Sequence, residues 1–529
     1  MRNFIYIAIA LALFGFTYHY GWSELAFPKR VRSIDSANFI NTTLILDIIQ
    51  FVIIHVFLLI LLFIFLFLIS KSLTSNHRRY DLPAFFIITL IALFNMIGYV
   101  RNTFPRLELS KLFISPFYEN LGLYSGSLVI LFITLSVYKY IKENKQIIAI
   151  YILVVGLLFL SPYYKNLIDS NIFFSNKIIS SSLASTQTSS TIPDIFIIGL
   201  DSVSYRQLKD SIDHLPNIKN IIYSGTSFTE AYTPLARTGP AWNSVLTGRY
   251  PVNSGVRFNL NFIKESIYQN NLVRNISQKG YTTFYAQDER RFNNINSDYG
   301  FDDVVGPKLG SSDFIIPNFS DNVISAYFTD SLIGQWLFPN LYTNRVSDKT
   351  YKPEQFSHSV VDRLKKIDGP IFLAVHHCLA HFPYSWHNSG PSNADEIFAH
   401  KNSLAKLDQQ VGILMDYLRS SHRLENSIII LLSDHGEGLG QELDLWYEDD
   451  SDYSNPHRFI RGHGGSIASK DQYNIVLHVS TPKDRMHDTL TVDDGLASLV
   501  DLRTTIETMI GIENDGYEGM DLFQPRNNR

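Results

Sequence analysis

The sequence predicts a five-helix membrane region followed by an α/β domain built on a central, mainly parallel sheet. Three observations predict it. Residues 1–165 are mostly apolar, while the remainder has the mixed composition of a water-facing domain. From residue 193 onward, short apolar runs alternate with longer helical stretches, the pattern of a sheet covered on both faces. Several of the apolar runs are followed by a carboxylate or an imidazole, and in parallel sheets ligands gather beyond the strand C-terminal ends.

Residues 4–22, 43–70, 82–100, 121–140 and 147–163 are each long and apolar enough to cross a hydrocarbon core of about 30 Å. The first runs into Phe16-Thr17-Tyr18-His19-Tyr20 without a small-x-small cleavage site, so it reads as an uncleaved anchor. The second is long enough to tilt. Arg2, the group Lys71, Arg78 and Arg79, and the group Lys139, Lys142 and Lys145 mark a cytoplasmic side. The opposite loops carry Lys29, Arg30, Arg32, Arg101, Arg106 and Lys111, so the bias is modest. An odd number of spans starting inside places the C-terminal domain outside, which predicts a multi-pass protein of a bacterial inner membrane with its α/β domain on the periplasmic or extracellular side. Asp47 and His55 lie in or beside the second span, where ionisable residues are functional suspects. Few other polar groups line the spans, which disfavours a transporter.

Net charge is -5, so no basic field invites nucleic acid. The single cysteine, Cys378, excludes an intrachain disulfide, reads as a small buried strand residue, and accords with a bacterial envelope protein. Residues 180–190 are a polar low-complexity run, which divides the chain into a membrane region 1–165, a linker 166–192 and a domain 193–529. Strands are expected at 194–200, 282–286, 371–376, 427–432 and 474–479, and helices at 272–279, 357–366, 403–419 and 497–510. The acidic run 448–452 reads as a solvated loop, and His376 and His377, at a strand end, as histidines that either back the site's ligands or belong to the core.

Asp201 directly follows the first strand and is either a metal ligand or a helix N-cap. Asp434-His435 follows another, with Gly436 and Gly438 to turn the backbone. Two carboxylates, an imidazole and a turn hydroxyl form a plausible set for a divalent cation, Zn²⁺ or Mn²⁺, that activates an oxygen nucleophile.

The ordered runs 228–251, 280–284, 299–302, 433–437 and 498–502 resemble the sulfatase family of the alkaline phosphatase superfamily. The resemblance covers roughly residues 193–522 and implies an alkaline-phosphatase-like fold. It places the nucleophile at Thr238, nine residues before Thr247. Sulfatases carry a cysteine or serine there, converted to formylglycine. Threonine cannot be converted, because its β-carbon bears a methyl group. With five N-terminal spans, the chain resembles the membrane phosphoethanolamine and glycerophosphate transferases of the superfamily.

That likeness implies one tightly held metal on Asp201, Thr238, Asp434 and His435, and in relatives a weaker second ion. It gives His381, in His381-Phe382-Pro383-Tyr384, and His463 roles around the phosphoryl group. Arg237 is a candidate partner of phosphoryl oxygens, and Asp288 and Arg291 fall where relatives contact substrate. Two departures stand out: the second aspartate of sulfatases is Ser202 here, and the glutamate usual in the transferases is Asp201. The expected activity is transfer of a phospholipid headgroup to an envelope glycan or lipid acceptor through a phosphothreonine. The alternatives are a hydrolase of sulfate or phosphate esters and a non-catalytic membrane scaffold.

Overall fold

The structure is a computed structural model that describes residues 5–12, 42–74, 80–104, 106–107, 121–179, 192–259, 263–307, 321–347, 349–384, 386, 396–441, 461–465, 469–487, 489–513 and 518–526. Most of the first expected span, the polar run 180–190, the acidic run 448–452 and the cations Arg2, Lys29, Arg30, Arg32, Arg78, Arg79 and Lys111 lie outside these residues. The chain forms two compact units. One comprises Met1–Leu183 with Gly310–Tyr342 and Val346–Tyr351; the other comprises Ala184–Leu309, Thr343–Arg345 and Lys352–Arg529.

The first unit is helical: α1 (Thr42–Leu73), α2 (Asp81–Thr103), α3 (Leu121–Lys142), α4 (Gln146–Ile179), α5 (Val323–Thr329) and α6 (Leu332–Leu337). Among the described residues three stretches are long and apolar enough to cross a membrane: Ile49–Leu73, Asp81–Thr103 and Tyr124–Lys142. A fourth apolar stretch, Gln146–Pro162, is shorter. Among the described residues, three or four such helices stand where five spans were expected. Helix α4 runs on to Ile179, but Lys165, Asn166 and Asp169 end its apolar stretch. Of the first expected span, residues 5–12 are described, as helix.

Phe65, Phe85, Met96, Val100, Ile152 and Phe159 are buried between the helices. Val52, Ile53, Val56, Phe57, Ile60 and Ile64 of α1 stay exposed, an apolar face suited to lipid. The pair α5–α6 joins this unit although it lies far along the chain. Tyr327 explains why: its hydroxyl donates to the Phe159 carbonyl at 2.6 Å and lies 3.1 Å from Asn95 Oδ1, and its ring meets Tyr99 edge-on at 5.3 Å.

The second unit is built on β1 (Asp194–Leu200), β2 (Gly225–Phe228), β3 (Ala231–Tyr232), β4 (Thr282–Gln287), β5 (Asp303–Val305) and β6 (Ile371–His377). It continues with β7 (Ser427–Ser433), β8 (Gly438–Leu439), β9 (Arg461–Gly462), β10 (Leu477–Ser480), β11 (Leu490–Asp493) and β12 (Ala497–Ser498). Eight of these form one sheet in the order β11-β2-β10-β7-β1-β6-β4-β5. Only β10 runs antiparallel to its neighbours, so the sheet is mainly parallel, as expected. Strands β1, β6 and β7 are buried along their whole length, which matches their unbroken apolar runs. Two expectations shift. The helix expected at 497–510 is Asp501–Met509, because Ala497 and Ser498 pair with β3 as β12. The strand expected at 474–479 is β10, which starts at Leu477, with Asn474 and Ile475 in isolated bridges.

The register sets up the site. β1 lies between β6 and β7, pairing Leu200 with His377 on one side and with Ser433 on the other. The residues just beyond β1 and β7, and the last residues of β6, therefore converge on one edge.

Candidate metal and catalytic centre

Asp201 and Asp434 are fully desolvated at this edge. Asp201 is held from both sides: its amide donates to the His377 carbonyl at 3.0 Å, and Oδ1 accepts from the Ser202 hydroxyl at 2.9 Å. Oδ1 of Asp434 accepts from the His435 amide at 2.9 Å. The remaining oxygens, Oδ2 of each aspartate, are buried with no hydrogen-bond partner. Two orphaned carboxylate oxygens are costly unless a cation answers them.

His435 is arranged to help. Its Nδ1 donates to the Gly436 carbonyl at 3.0 Å, which leaves the Nε2 lone pair facing the carboxylates. Nε2 lies 3.4 Å from Asp434 Oδ2 and 3.6 Å from Asp201 Oδ1. Gly436 is required here by close approach: a Cβ on it would meet the Asp471 carbonyl at 1.9 Å.

Thr238 is the first residue of the helix Thr238–Thr247 and is fully buried. Its Oγ1 is 3.4 Å from His435 Nε2. The positive end of the helix dipole lies at this hydroxyl and favours negative charge there. The structure thus brings Asp201, Thr238, Asp434 and His435 together from three distant stretches.

Sequence reading missed His376. In the sequence it reads as a core histidine or one that backs the ligands, yet its Nε2 lies 3.4 Å from both Asp201 Oδ2 and Asp434 Oδ2, and neither ring nitrogen has a hydrogen-bond partner. Burial pulls this imidazole's pKa down, but Asp434 and Asp201 outweigh burial and lift it to about 10. The carboxylates pull a positive charge toward this spot, and a bound divalent cation would take over that role. Trp242 packs edge-on against His376 at 5.2 Å, over Gly199, where a Cβ would meet the indole at 2.6 Å and the imidazole at 2.8 Å. Only the pairing of Gly199 with His376 across β1 and β6 reveals this placement. Donor atoms of Asp201, Asp434 and His435 lie within 4.8 Å of one another, as do those of Asp201, His376 and Cys378. Burial pushes the Cys378 thiol well above its usual pKa, and its Sγ accepts from Gln287 Nε2 at 3.3 Å. The orphaned oxygens and the lone pairs aimed among them fit a divalent ion such as Zn²⁺ or Mn²⁺.

Two further histidines flank this group. His463 stacks on His435 with centroids 4.1 Å apart, and its Nδ1 lies 3.0 Å from Glu437 Oε2. Burial lowers the His463 pKa, but Glu437 more than compensates and raises it. His381 is 4.9 Å from the His463 ring and stacks on Phe292 at 4.6 Å. Its Nδ1 donates to the Phe382 carbonyl at 2.7 Å, and its Nε2 is unpartnered. Burial holds His381 down at about 4.

The three substrate candidates have different surroundings. Arg237 donates to the Gly464 carbonyl at 3.3 Å and lies over the Phe258 ring, beside the His463 loop. Asp288 is fully buried and accepts from the Cys378 amide at 2.8 Å. Arg291 is paired with buried Glu289, which also binds Arg345, and Arg345 in turn donates to the His381 carbonyl. This charged triad was missed because Glu289 and Arg345 are far apart in sequence.

The sulfatase family profile matches residues 193–512. An uncharacterized sulfatase of Escherichia coli K12, YdeN, is 24% identical over 307 residues, covering 49% of each chain. The chain thus spans about half the length of this curated relative. Among solved structures, Ps i-CgsB in complex with k-i-k-neocarrahexaose is 19% identical with a TM-score of 0.46, covering 63% of this chain and 75% of that one. The phosphonate monoester hydrolase of Agrobacterium radiobacter is 16% identical with a TM-score of 0.45, covering 64% and 79%.

Proposed function

The chain belongs to the sulfatase family and is a sulfatase-like enzyme, and on that premise we propose that it is a membrane-anchored, metal-dependent phosphoryl-group transferase. It moves a phospholipid headgroup, of phosphoethanolamine or glycerophosphate type, to an envelope glycan or lipid. The observation that carries this reading is Thr238, a residue that cannot become formylglycine, with Oγ1 3.4 Å from His435 Nε2 at a helix N-terminus.

A divalent cation held by Asp201, Thr238, Asp434 and His435, with His376 beside them, would supply the positive charge that lowers the pKa of the hydroxyl and steadies the phosphoryl oxygens. Thr238 gives its proton to the unengaged Nε2 of His381 and attacks phosphorus in line. The bond from phosphorus to the lipid glycerol oxygen breaks. His463, whose imidazolium Glu437 supports, protonates that oxygen, yielding diacylglycerol and a phosphothreonine. An acceptor hydroxyl then loses its proton to the now neutral His463 and attacks phosphorus, the bond from phosphorus to Thr238 breaks, and His381 returns its proton to the departing Thr238 oxygen. Arg237 is the side chain to meet the phosphoryl oxygens. Asp288 and Arg291 act from behind, Asp288 on the Cys378 amide and Arg291 through Glu289 and Arg345 on the His381 loop. In this reading the chemistry is anchored on the outer face of a bacterial inner membrane, and the helices long and apolar enough to cross a membrane support the anchoring.

Mass spectrometry of the Thr238 peptide, quenched during turnover with phospholipid, tests the reading. The expected adduct has the mass of the transferred headgroup phosphate. An unmodified threonine under turnover would refute it. Labelled phospholipid separates the products: diacylglycerol plus modified acceptor for transfer, free headgroup for hydrolysis.

A further inference from the structure

His55 plays no part in this chemistry, yet it is placed with care. Within the helical unit, α1, α4 and the pair α5–α6 enclose a cavity of about 50 Å³. One water needs ~10–15 Å³ of such space, so this cavity admits more than a single water. Its walls are Leu58, Leu62, Val155, Phe159, Leu337 and Phe338 together with other apolar residues, and no charged side chain lines it among the described residues.

Among the described residues, the side-chain polar groups on the walls present lone pairs. His55 is 5% exposed, and its Nδ1 donates to the Phe51 carbonyl at 2.9 Å. In the neutral imidazole Nε2 is then a lone pair, and it has no partner. Ser161, Thr329 and Ser331 also line the cavity, and each hydroxyl donates to a nearby carbonyl, those of Leu158, Ser325 and Phe328. The cavity therefore calls for a ligand that donates a proton. It offers nothing to a phosphate or a carboxylate.

The position along α1 narrows the choice. Lys71 marks one end of the apolar stretch. Twenty residues, the usual span of the hydrocarbon core, reach back to Phe51, so His55 lies only about 6 Å inside the opposite boundary. That is just below the level of phospholipid glycerol groups, a depth that the hydroxyl of a glycerolipid without a charged headgroup can reach. On the α6 wall Leu332, Ile333 and Trp336 are exposed, with Trp336 at 79%, an apolar and aromatic face suited to the same boundary.

We propose that this cavity binds the free hydroxyl end of an uncharged glycerolipid of the diacylglycerol class, with His55 Nε2 accepting its hydroxyl proton. The identity of the lipid rests on the transferase reading, in which diacylglycerol is the released product.

The test uses the full chain in lipid nanodiscs and a photoactivatable dioleoylglycerol, compared with the same probe methylated on its hydroxyl. The expected result is cross-linking to peptides of α1 and α6, with retention of the methylated probe roughly tenfold weaker. His55→Leu should bind both probes equally weakly, and His55→Gln, whose amide oxygen accepts, should recover part of the difference. Equal binding of the two probes by the wild-type protein, or water as the cavity's only occupant, overturns the proposal. Thr238→Ala should still bind the probe, so loss of transfer activity and loss of this site are separate outcomes.

Discussion

The hydroxyl of Ser202 donates to Oδ1 of Asp201 at 2.9 Å from a backbone held at φ 61°. That left-handed conformation is unfavourable for serine, and the His400 Nε2 contact at 3.0 Å to the Ser202 carbonyl helps to hold it. Ser202→Ala should weaken divalent metal binding by roughly tenfold, because the ligand loses its orienting partner. Ser202→Gly should show the same loss in a chelator competition but a higher unfolding temperature than Ser202→Ala, because glycine accepts this φ.

Removing the Thr238 hydroxyl should separate chemistry from structure. Thr238→Ala is expected to lower turnover on the order of a thousandfold or more. Its unfolding midpoint should stay close to wild type, while its divalent-ion affinity should fall, because one of the oxygens proposed to hold the ion is lost. Thr238→Ser should retain measurable turnover. Steady-state rates alongside elemental analysis check all three.

His376 offers a sharper test of the metal centre. His376→Ala should lower divalent-ion affinity by roughly tenfold to a hundredfold if the imidazole takes part in holding the ion. Cobalt substitution followed by visible absorption would show the changed ligand field. An unchanged affinity and spectrum would return His376 to a packing role against Trp242.

Glu289 links the site to acid stability. Burial raises its carboxyl pKa, but Arg291 and Arg345 outweigh burial and hold it at about 2, below the ordinary 4.5. A depressed folded-state pKa stabilises above pH 4.5 and loses that contribution as pH falls toward 2. The contribution amounts to about 3 kcal/mol at neutral pH. Urea midpoints between pH 7 and pH 3 should fall for the wild type and fall less steeply for Glu289→Gln, which should start lower by a few kcal/mol.

In the helical unit, Tyr327→Phe removes a hydroxyl that donates to the Phe159 carbonyl at 2.6 Å. The expected cost is about 1 kcal/mol, read as a lower thermal midpoint of the detergent-solubilised protein.

Much of the catalytic half was legible because its strands are buried on both faces. Such strands write themselves as unbroken apolar runs, so the residues after them, Asp201 and Asp434, could be located without a structure. Thr238 was reachable only through its motif, since the sequence alone does not say which turn hydroxyl points inward. His376 was not reachable, because within an apolar strand an imidazole looks like core until the register sets it against Gly199. The number of membrane-long helices was overcounted where Gln146–Pro162 is apolar but short, and helical geometry carries α4 on through polar residues that composition suggested were linker. The return of α5–α6 to the helical unit depends on contacts such as Tyr327 with Asn95, which no local pattern announces.

That return has a practical consequence for anyone isolating the catalytic half. A fragment cut simply at residue 193 would carry the strip 310–342 away from the helices that bury Val323, Ile324 and Tyr327. Those side chains would then face water and invite aggregation. Excising the strip and bridging the gap with a short polar linker should give a soluble, monodisperse enzyme fragment where plain truncation yields clumped material.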